Sequence, residues 1–368
     1  MAPSPSKGAS PMVSTYSMWS SFRNCRRAAE LRYLEQLVPL QLDHNLHFGS
    51  LIHECLELWH GQRDLALVLD RIDRLCPNRA QDEDQKRDWL NATAMMTAYS
   101  ARYATEEFEI VALEKTFEGP IVNPATGAAS RSFVLAGKID GIVRIGGEYF
   151  VLEHKTASQL DADYLEKLWT DFQITLYAHY IEQTLGVPIT GILYNVLVKA
   201  RLQQGKGETV EEFETRRAEL LAKSKTGKTT AKRKLPESDE EFAARLDEKY
   251  ADPQMFHREM LYLSRDRFDV LRSELWELTQ AFLDARRRGV FYQNTAFCFN
   301  YQRPCAYFAL CRSNGNPNVI DNFYQRVAPN EELHVLPQQQ PNRPSEGDPS
   351  KWHYYPARKP HPSRIWPT

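Results

Sequence analysis

Two apolar runs meet at Gly146-Gly147, and the charges they carry constrain this chain more than any other feature. Residues 132–145 and 149–156 are rich in β-branched and apolar side chains, and the paired glycines between them are a hairpin turn signal. Asp140 interrupts the first run, and Glu153-His154-Lys155 ends the second. Alternate side chains of a strand share a face, so Glu153 and Lys155 point the same way and His154 the other. Folding the hairpin at the glycines sets Asp140 opposite Glu153.

Two carboxylates brought together resist ionisation. A divalent cation removes that penalty, and hard oxygen donors select magnesium or manganese. Such a metal can polarise a phosphoryl oxygen and acidify a bound water, while Lys155 orients that water or neutralises charge on the phosphate. Gln173 and Tyr177 follow on a helical pattern, four residues apart and so on one face. Singly, strand-end acids are solvated, Lys155 pairs with Glu153, and Gln173 with Tyr177 is a packing pair. Together, around one hairpin, they specify a metal-dependent phosphodiesterase.

Cysteines supply a second pattern. Cys298, Cys305 and Cys311 crowd into one short stretch, while Cys25 stands alone near the start, and Cys55 and Cys76 sit among apolar residues as core thiols. No secretory leader is recognisable, so a cytoplasmic location and free thiols are expected rather than disulfides. Four thiolates can hold zinc or an iron–sulfur cluster. Zinc sites usually show two close Cys-x-x-Cys pairs, which this chain lacks.

Four ordered blocks give the chain a family resemblance. Gly49-Ser-Leu-Ile-His53, Gly137-Lys-Ile-Asp140, Glu153-His-Lys155 and Gln173-Ile-Thr-Leu-Tyr177 resemble, in order, the motifs of the RecB-like branch of the PD-(D/E)XK nuclease superfamily. Each block is weak alone; the ordered set is specific. The resemblance implies an α/β fold with a restriction-endonuclease-like core. It implies Asp140, Glu153, His53 and the backbone carbonyl of His154 as ligands of Mg2+ or Mn2+, with Lys155, Gln173 and Tyr177 completing the catalytic set. It further implies water attack on phosphorus that displaces the 3′-oxygen and leaves a 5′-phosphate. The cysteine layout is similar to that of the branch's iron–sulfur members, the AddB nuclease domain and the CRISPR-adaptation nucleases. There one N-terminal and three C-terminal cysteines hold a 4Fe–4S cluster that joins the two ends of the domain. Cys25, Cys298, Cys305 and Cys311 would be the ligands here. The gap from Cys298 to Cys305 is longer than the family's usual Cys-x2-Cys, whereas Cys305 to Cys311 keeps the family spacing.

The remaining expectations concern organisation. At 368 residues, with 42% hydrophobic and 26% charged residues, the chain can bury a large core. A formal net charge of -2 means that overall charge does not announce nucleic acid. Residues 1–13 read as a disordered N-terminus and 14–327 as the nuclease domain. Within it, a helical pattern covers 14–38 after Cys25, an apolar helix 49–61, and a charged helical pair extends to about 106. Strands follow at 108–117, 132–145 and 149–156, then one helix over 161–185, a strand over 190–200 and a helix over 266–288. A helix between successive strands favours a mixed sheet flanked by helices. Residues 201–258 read as a charged insertion. Its Gly227-Lys228-Thr229 is not a phosphate loop, because Ala222 stands where the motif needs glycine. Residues 328–368 form a Pro-rich tail, unable to build a core, whose aromatic and basic residues could bind a partner protein or single-stranded bases. No apolar run reaches membrane-spanning length. The resemblance implies DNA as the partner, as single strands or ends, and the expected activity is that of a single-chain exonuclease of a phage or of DNA recombination and repair. A non-catalytic scaffold on the same fold and a structure-specific endonuclease are the alternatives.

Overall fold

The structure, a computed structural model, describes residues 10–40, 44–300, 303–330 and 333. In chain order it begins with β1 (Met12–Ser14), α1 (Tyr16–Asn24), α2 (Arg26–Ala29) and β2 (Leu37–Pro39). Three helices follow: α3 (His44–Gln62), α4 (Leu65–Leu75) and α5 (Glu83–Arg102). Then come β3 (Glu109–Val122), β4 (Ala129–Ile145), β5 (Glu148–Ala157), α6 (Ala162–Leu168), α7 (Phe172–Leu185) and β6 (Ile189–Val198). The chain continues through α8 (Val210–Lys223), α9 (Asp239–Tyr250), β7 (Phe256–Tyr262) and α10 (Asp266–Arg288).

A six-stranded mixed sheet carries the domain, in the order β1-β4-β5-β6-β7 with β3 also on β4. β4 and β5 form the expected hairpin, pairing from Ile145↔Glu148 to Gly141↔Leu152. Gly146 and Gly147 have φ of 57° and 88°, the left-handed backbone that a two-residue turn demands and that glycine adopts without penalty. β5 and β6 run parallel, joined through α6 and α7, and β6 pairs antiparallel with β7.

Period-two alternation along β6 divides the core. Ile192, Tyr194 and Val196 pack with Trp19 and Phe22 of α1, Leu176 and Ile181 of α7, and Leu275 and Phe282 of α10. Leu197 faces the other layer, built from α3, α4, α5 and α9. Helices thus cover both faces of the sheet, as an α/β architecture requires.

Several boundaries move. Met12 and Val13 belong to a strand that pairs parallel with Phe133 and Val134, so the sheet begins inside the segment expected to be disordered. Residues 1–9 lie outside the described residues, as does the tail from 334 onward. The single helix expected after Cys25 ends earlier: Val38 lies in β2, which pairs antiparallel with Tyr324–Arg326. The helix expected over 161–185 is two, because Asp171 is extended and its carboxylate caps α7 through the Gln173 N–H at 2.9 Å. The insertion is also shorter than its composition suggests. α8 buries nothing, but α9 buries Phe242, Leu246 and Tyr250 against α5, and β7 completes the sheet.

A close approach explains one motif glycine. A Cβ on Gly137 would sit 2.5 Å from the Phe117 ring and 3.2 Å from the Tyr177 ring, both buried. Gly137→Ala is therefore expected to destabilise the fold by about 1–3 kcal/mol through overpacking, read as a lowered denaturation midpoint.

Candidate active site

The β4–β5 ladder stops at Gly141↔Leu152, and the site begins one residue further on. There Asp140 Oδ2 accepts the His154 backbone N–H at 2.7 Å, and Asp140 Oδ1 lies 3.1 Å from His53 Nδ1 of α3. The side-chain alternation of β4 also slips here. Phe133, Leu135 and Ile139 share a core layer with Ile142, so the inward face changes parity around Asp140. On the facing strand Glu114 has φ 47°, a strained value for a residue with a side chain, and pairs with Lys138. Glu114 is thus held beside the site by its own cation.

On one face of β5, Lys155 Nζ lies 2.7 Å from Glu153 Oε1 and 3.1 Å from Gln173 Oε1. The expected pairing of residues 153 and 155 on one face is what the strand delivers. Gln173, on the first turn of α7, holds the ammonium, and Tyr177 packs one turn later against Phe117. Asp140, His53, Glu153, Lys155, Gln173 and Tyr177 are therefore brought together.

The electrostatics of this group oppose one another. Burial works against the Asp140 carboxylate, but the adjacent His53 and the His154 N–H outweigh it, holding Asp140 well below the usual carboxylate range. Burial likewise works against charge on His53, and Asp140 raises its pKa overall. Glu153, 4% exposed, is pushed up, first by burial and then by Asp140, although Lys155 pulls the other way. Lys155 rises despite its own burial because Glu153 lies beside it. Both partners shifting upward sets the desolvation of Glu153 against its ion pair; a 2.7 Å contact favours the ionised pair.

On the opposite face, His154 enters a buried polar network that the sequence reading missed. Asn195 Nδ2 donates to His154 Nδ1 at 2.9 Å and to the Tyr99 hydroxyl at 2.9 Å. Arg258 donates to that hydroxyl at 3.1 Å and to Glu106 at 3.0 Å, with its guanidinium 3.6 Å from the Tyr103 ring centroid. Tyr99 already accepts twice, so its proton goes to His60 Nε2 at 3.2 Å. His60 stacks on His154 with ring centroids 5.2 Å apart. Burial holds His154 down to about 3 and His60 to about 2, so both rings are neutral at pH 7. Two signals for this network were available: His60 lies two helical turns beyond His53, and Asn195 is the one amide side chain within the otherwise aliphatic and aromatic ILYNVLV.

Donor chemistry suits a divalent cation: two carboxylates and an imidazole are neighbours where burial penalises uncompensated negative charge. In this structure they do not form a closed cage. Among the described residues no group of three or more His, Cys, Asp or Glu side chains is placed to hold a metal ion. Asp140 turns to His53 and His154, and Glu153 to Lys155, so each acid already has a partner within the chain.

The same holds for the cysteines. Cys25 lies between α1 and α2 in extended backbone, and its Sγ accepts the Asn294 N–H at 3.4 Å. Cys305 N donates to Cys298 O at 2.8 Å, and Cys311 N donates to Tyr307 O at 2.9 Å within the short helix Phe308–Arg312. Burial raises the Cys305 and Cys311 thiols, and Cys25 and Cys298 are close enough to add to the rise. The two ends of the domain thus meet at four partly buried thiols. What joins them in this structure is protein: the β2 pairing with Tyr324–Arg326, the Tyr307 hydroxyl donating to Leu37 O at 2.8 Å, and a small apolar cluster of Leu31, Leu37 and Leu310.

Truncating Arg258 would leave the buried Glu106 with Arg63 as its remaining cation and take one of two donors from the Tyr99 hydroxyl. Arg258→Leu is expected to cost roughly 3 kcal/mol of folding stability, measured by denaturant titration.

Comparison with curated proteins finds no match. Among solved structures, a candidate exonuclease from Eubacterium rectale is similar at 9% sequence identity and a TM-score of 0.42, over 82% of this chain and 87% of that one. The sequence profile of the PD-(D/E)XK nuclease superfamily matches residues 14–312, which include the Asp140, Glu153 and Lys155 group and all four paired-end cysteines. The match spans most of the chain, and the chain belongs to the PD-(D/E)XK nuclease superfamily.

Proposed function

We propose that this protein is a metal-dependent DNA exonuclease of the RecB-like branch, preferring single strands or ends and leaving 5′-phosphates. The observation that carries the reading is Lys155 Nζ held between Glu153 and Gln173, beside an Asp140 anchored to the His154 backbone N–H. Asp140, Glu153, His53 and the carbonyl of His154 would hold magnesium or manganese, which supplies Lewis acidity and a more acidic water when bound. Lys155 then orients the attacking water and offsets charge on the phosphate. Gln173 fixes the ammonium, so the proton donor points at one place rather than sampling its rotamers. Tyr177 packs behind Gln173 and keeps the helix start against the strand. Water adds to phosphorus in line and the 3′-oxygen leaves, taking up a proton.

Cys25, Cys298, Cys305 and Cys311 would hold a 4Fe–4S cluster. Its chemistry is structural: soft thiolate donors from both ends of the domain are closed into one site, reinforcing the contacts those ends already make.

Two measurements test this reading. With manganese and end-labelled single-stranded DNA, the chain is expected to release nucleotides, and Lys155→Ala to slow cleavage by about 100-fold or more; equal rates would reject Lys155 as catalytic. Circular single-stranded DNA should stay intact, since only an endonuclease opens it. Protein purified without oxygen should be brown and contain iron, and Cys305→Ser should lose the visible absorbance and lower the melting midpoint. A colourless, zinc-loaded protein would replace the cluster by a zinc site.

A further inference from the structure

A cavity of ≈ 450 Å3 opens directly beside Lys155, between α1 and the α6–α7 turn. Its walls bring together Arg23, Lys155 and Lys167 with the half-buried rings of Tyr16, Tyr164 and Phe172. The Arg23 guanidinium lies 4.9 Å from the Phe172 ring centroid, and Tyr16 lies 6.3 Å from Phe172, so the wall is a continuous aromatic and cationic surface. One carboxylate lines it, Asp171, and that group is engaged: it caps α7 at 2.9 Å and accepts the Tyr194 hydroxyl at 3.4 Å. The α6–α7 turn is itself tied down, because Arg267 donates to the Trp169 carbonyl.

Size and charge together select the occupant. A space of this volume takes a drug-sized ligand, not a double helix. Cations beside aromatic faces are the means by which proteins hold unpaired strands: phosphates meet the charges and bases stack on the rings. A second cavity, of ≈ 540 Å3, shares Arg23 and Asn24 but sets Glu274 and Glu277 against Arg23 and Arg26, so its lining has no excess of positive charge. Charge therefore favours the smaller cavity, although the larger one offers more room.

We infer that the cavity between α1 and the α6–α7 turn is the subsite for the unpaired nucleotide next to the scissile phosphate, with Arg23 and Lys167 on the backbone phosphate and Tyr164 or Tyr16 against the base. This rests on the nuclease reading above and adds the route by which the strand enters. It also gives single-strand preference a physical source: a paired nucleotide cannot enter without leaving its helix.

The test is binding of a fluorescein-labelled oligothymidylate to the full chain in EDTA, by anisotropy, across a salt series. A blunt duplex of equal length serves as comparison. Arg23 and Lys167 are exposed, so Arg23→Glu with Lys167→Glu should fold, with a melting midpoint near that of the wild type. The double variant is expected to bind the single strand at least about ten-fold more weakly, with a salt slope shallower by about one. Tyr164→Ala is expected to weaken the single strand alone, by several-fold. Unchanged single-strand binding in the double variant would overturn the subsite. So would an equal loss for duplex and single strand, because that would mark a general backbone contact. Manganese-dependent hydrolysis of bis(p-nitrophenyl) phosphate by the wild-type chain tests the nuclease reading separately: its absence would sink that reading without altering the binding result.

Discussion

The contact between the Asp140 carboxylate and the His154 backbone N–H governs the arrangement of everything around it. It closes the β4–β5 hairpin one residue past its last regular pair, in place of a ladder hydrogen bond. A charged acceptor on a buried N–H is stronger than a neutral one, so the strand end is held more firmly than a fraying ladder would hold it. With residue 154 fixed, strand geometry sends its neighbours 153 and 155 to one face and its own ring to the other.

The two faces of β5 then serve different ends. Toward α7, ionised groups crowd together: Glu153 and Lys155 pair, and Gln173 steadies the ammonium. Toward α3 and α5, the neighbours are mostly neutral: two uncharged histidines, Tyr99 and Asn195, with Arg258 and Glu106 closing the network. Polar groups this deep cost free energy unless partnered, and nearly every donor here has an acceptor. His60 Nδ1 is the exception, with Glu106 3.8 Å away. A network of this kind holds the His154 ring, and with it the backbone at the site, in one orientation.

The ends of the domain come together by a separate set of contacts. α1 runs from the sheet edge, past the cavity beside Lys155, to Cys25, where the chain turns and meets Asn294. One short helix therefore connects the thiols to the wall of the site. Disturbing the thiol end would be felt at Arg23, only two residues from Cys25.

Much of the site was legible in the sequence because it is local. The hairpin follows from two apolar runs around Gly146-Gly147, the shared face of Glu153 and Lys155 from period-two alternation, and the Gln173–Tyr177 stripe from helical spacing. Failures of the reading also have local causes. Extended backbone at Asp171 broke a helix that periodicity would have continued, and the charged composition of 201–258 concealed that α9 and β7 bury their apolar sides. Sequence alone thus determined which residues meet around the hairpin and which strand faces they occupy, since turn chemistry and side-chain period act over a few residues. Only the tertiary structure decided that Asp140 turns to His53 and His154, that Asn195, Tyr99 and Arg258 converge behind the strand, and that α1 walls the cavity. Those pairings join segments up to 159 positions apart, and burial and hydrogen-bond satisfaction, not local propensity, select them.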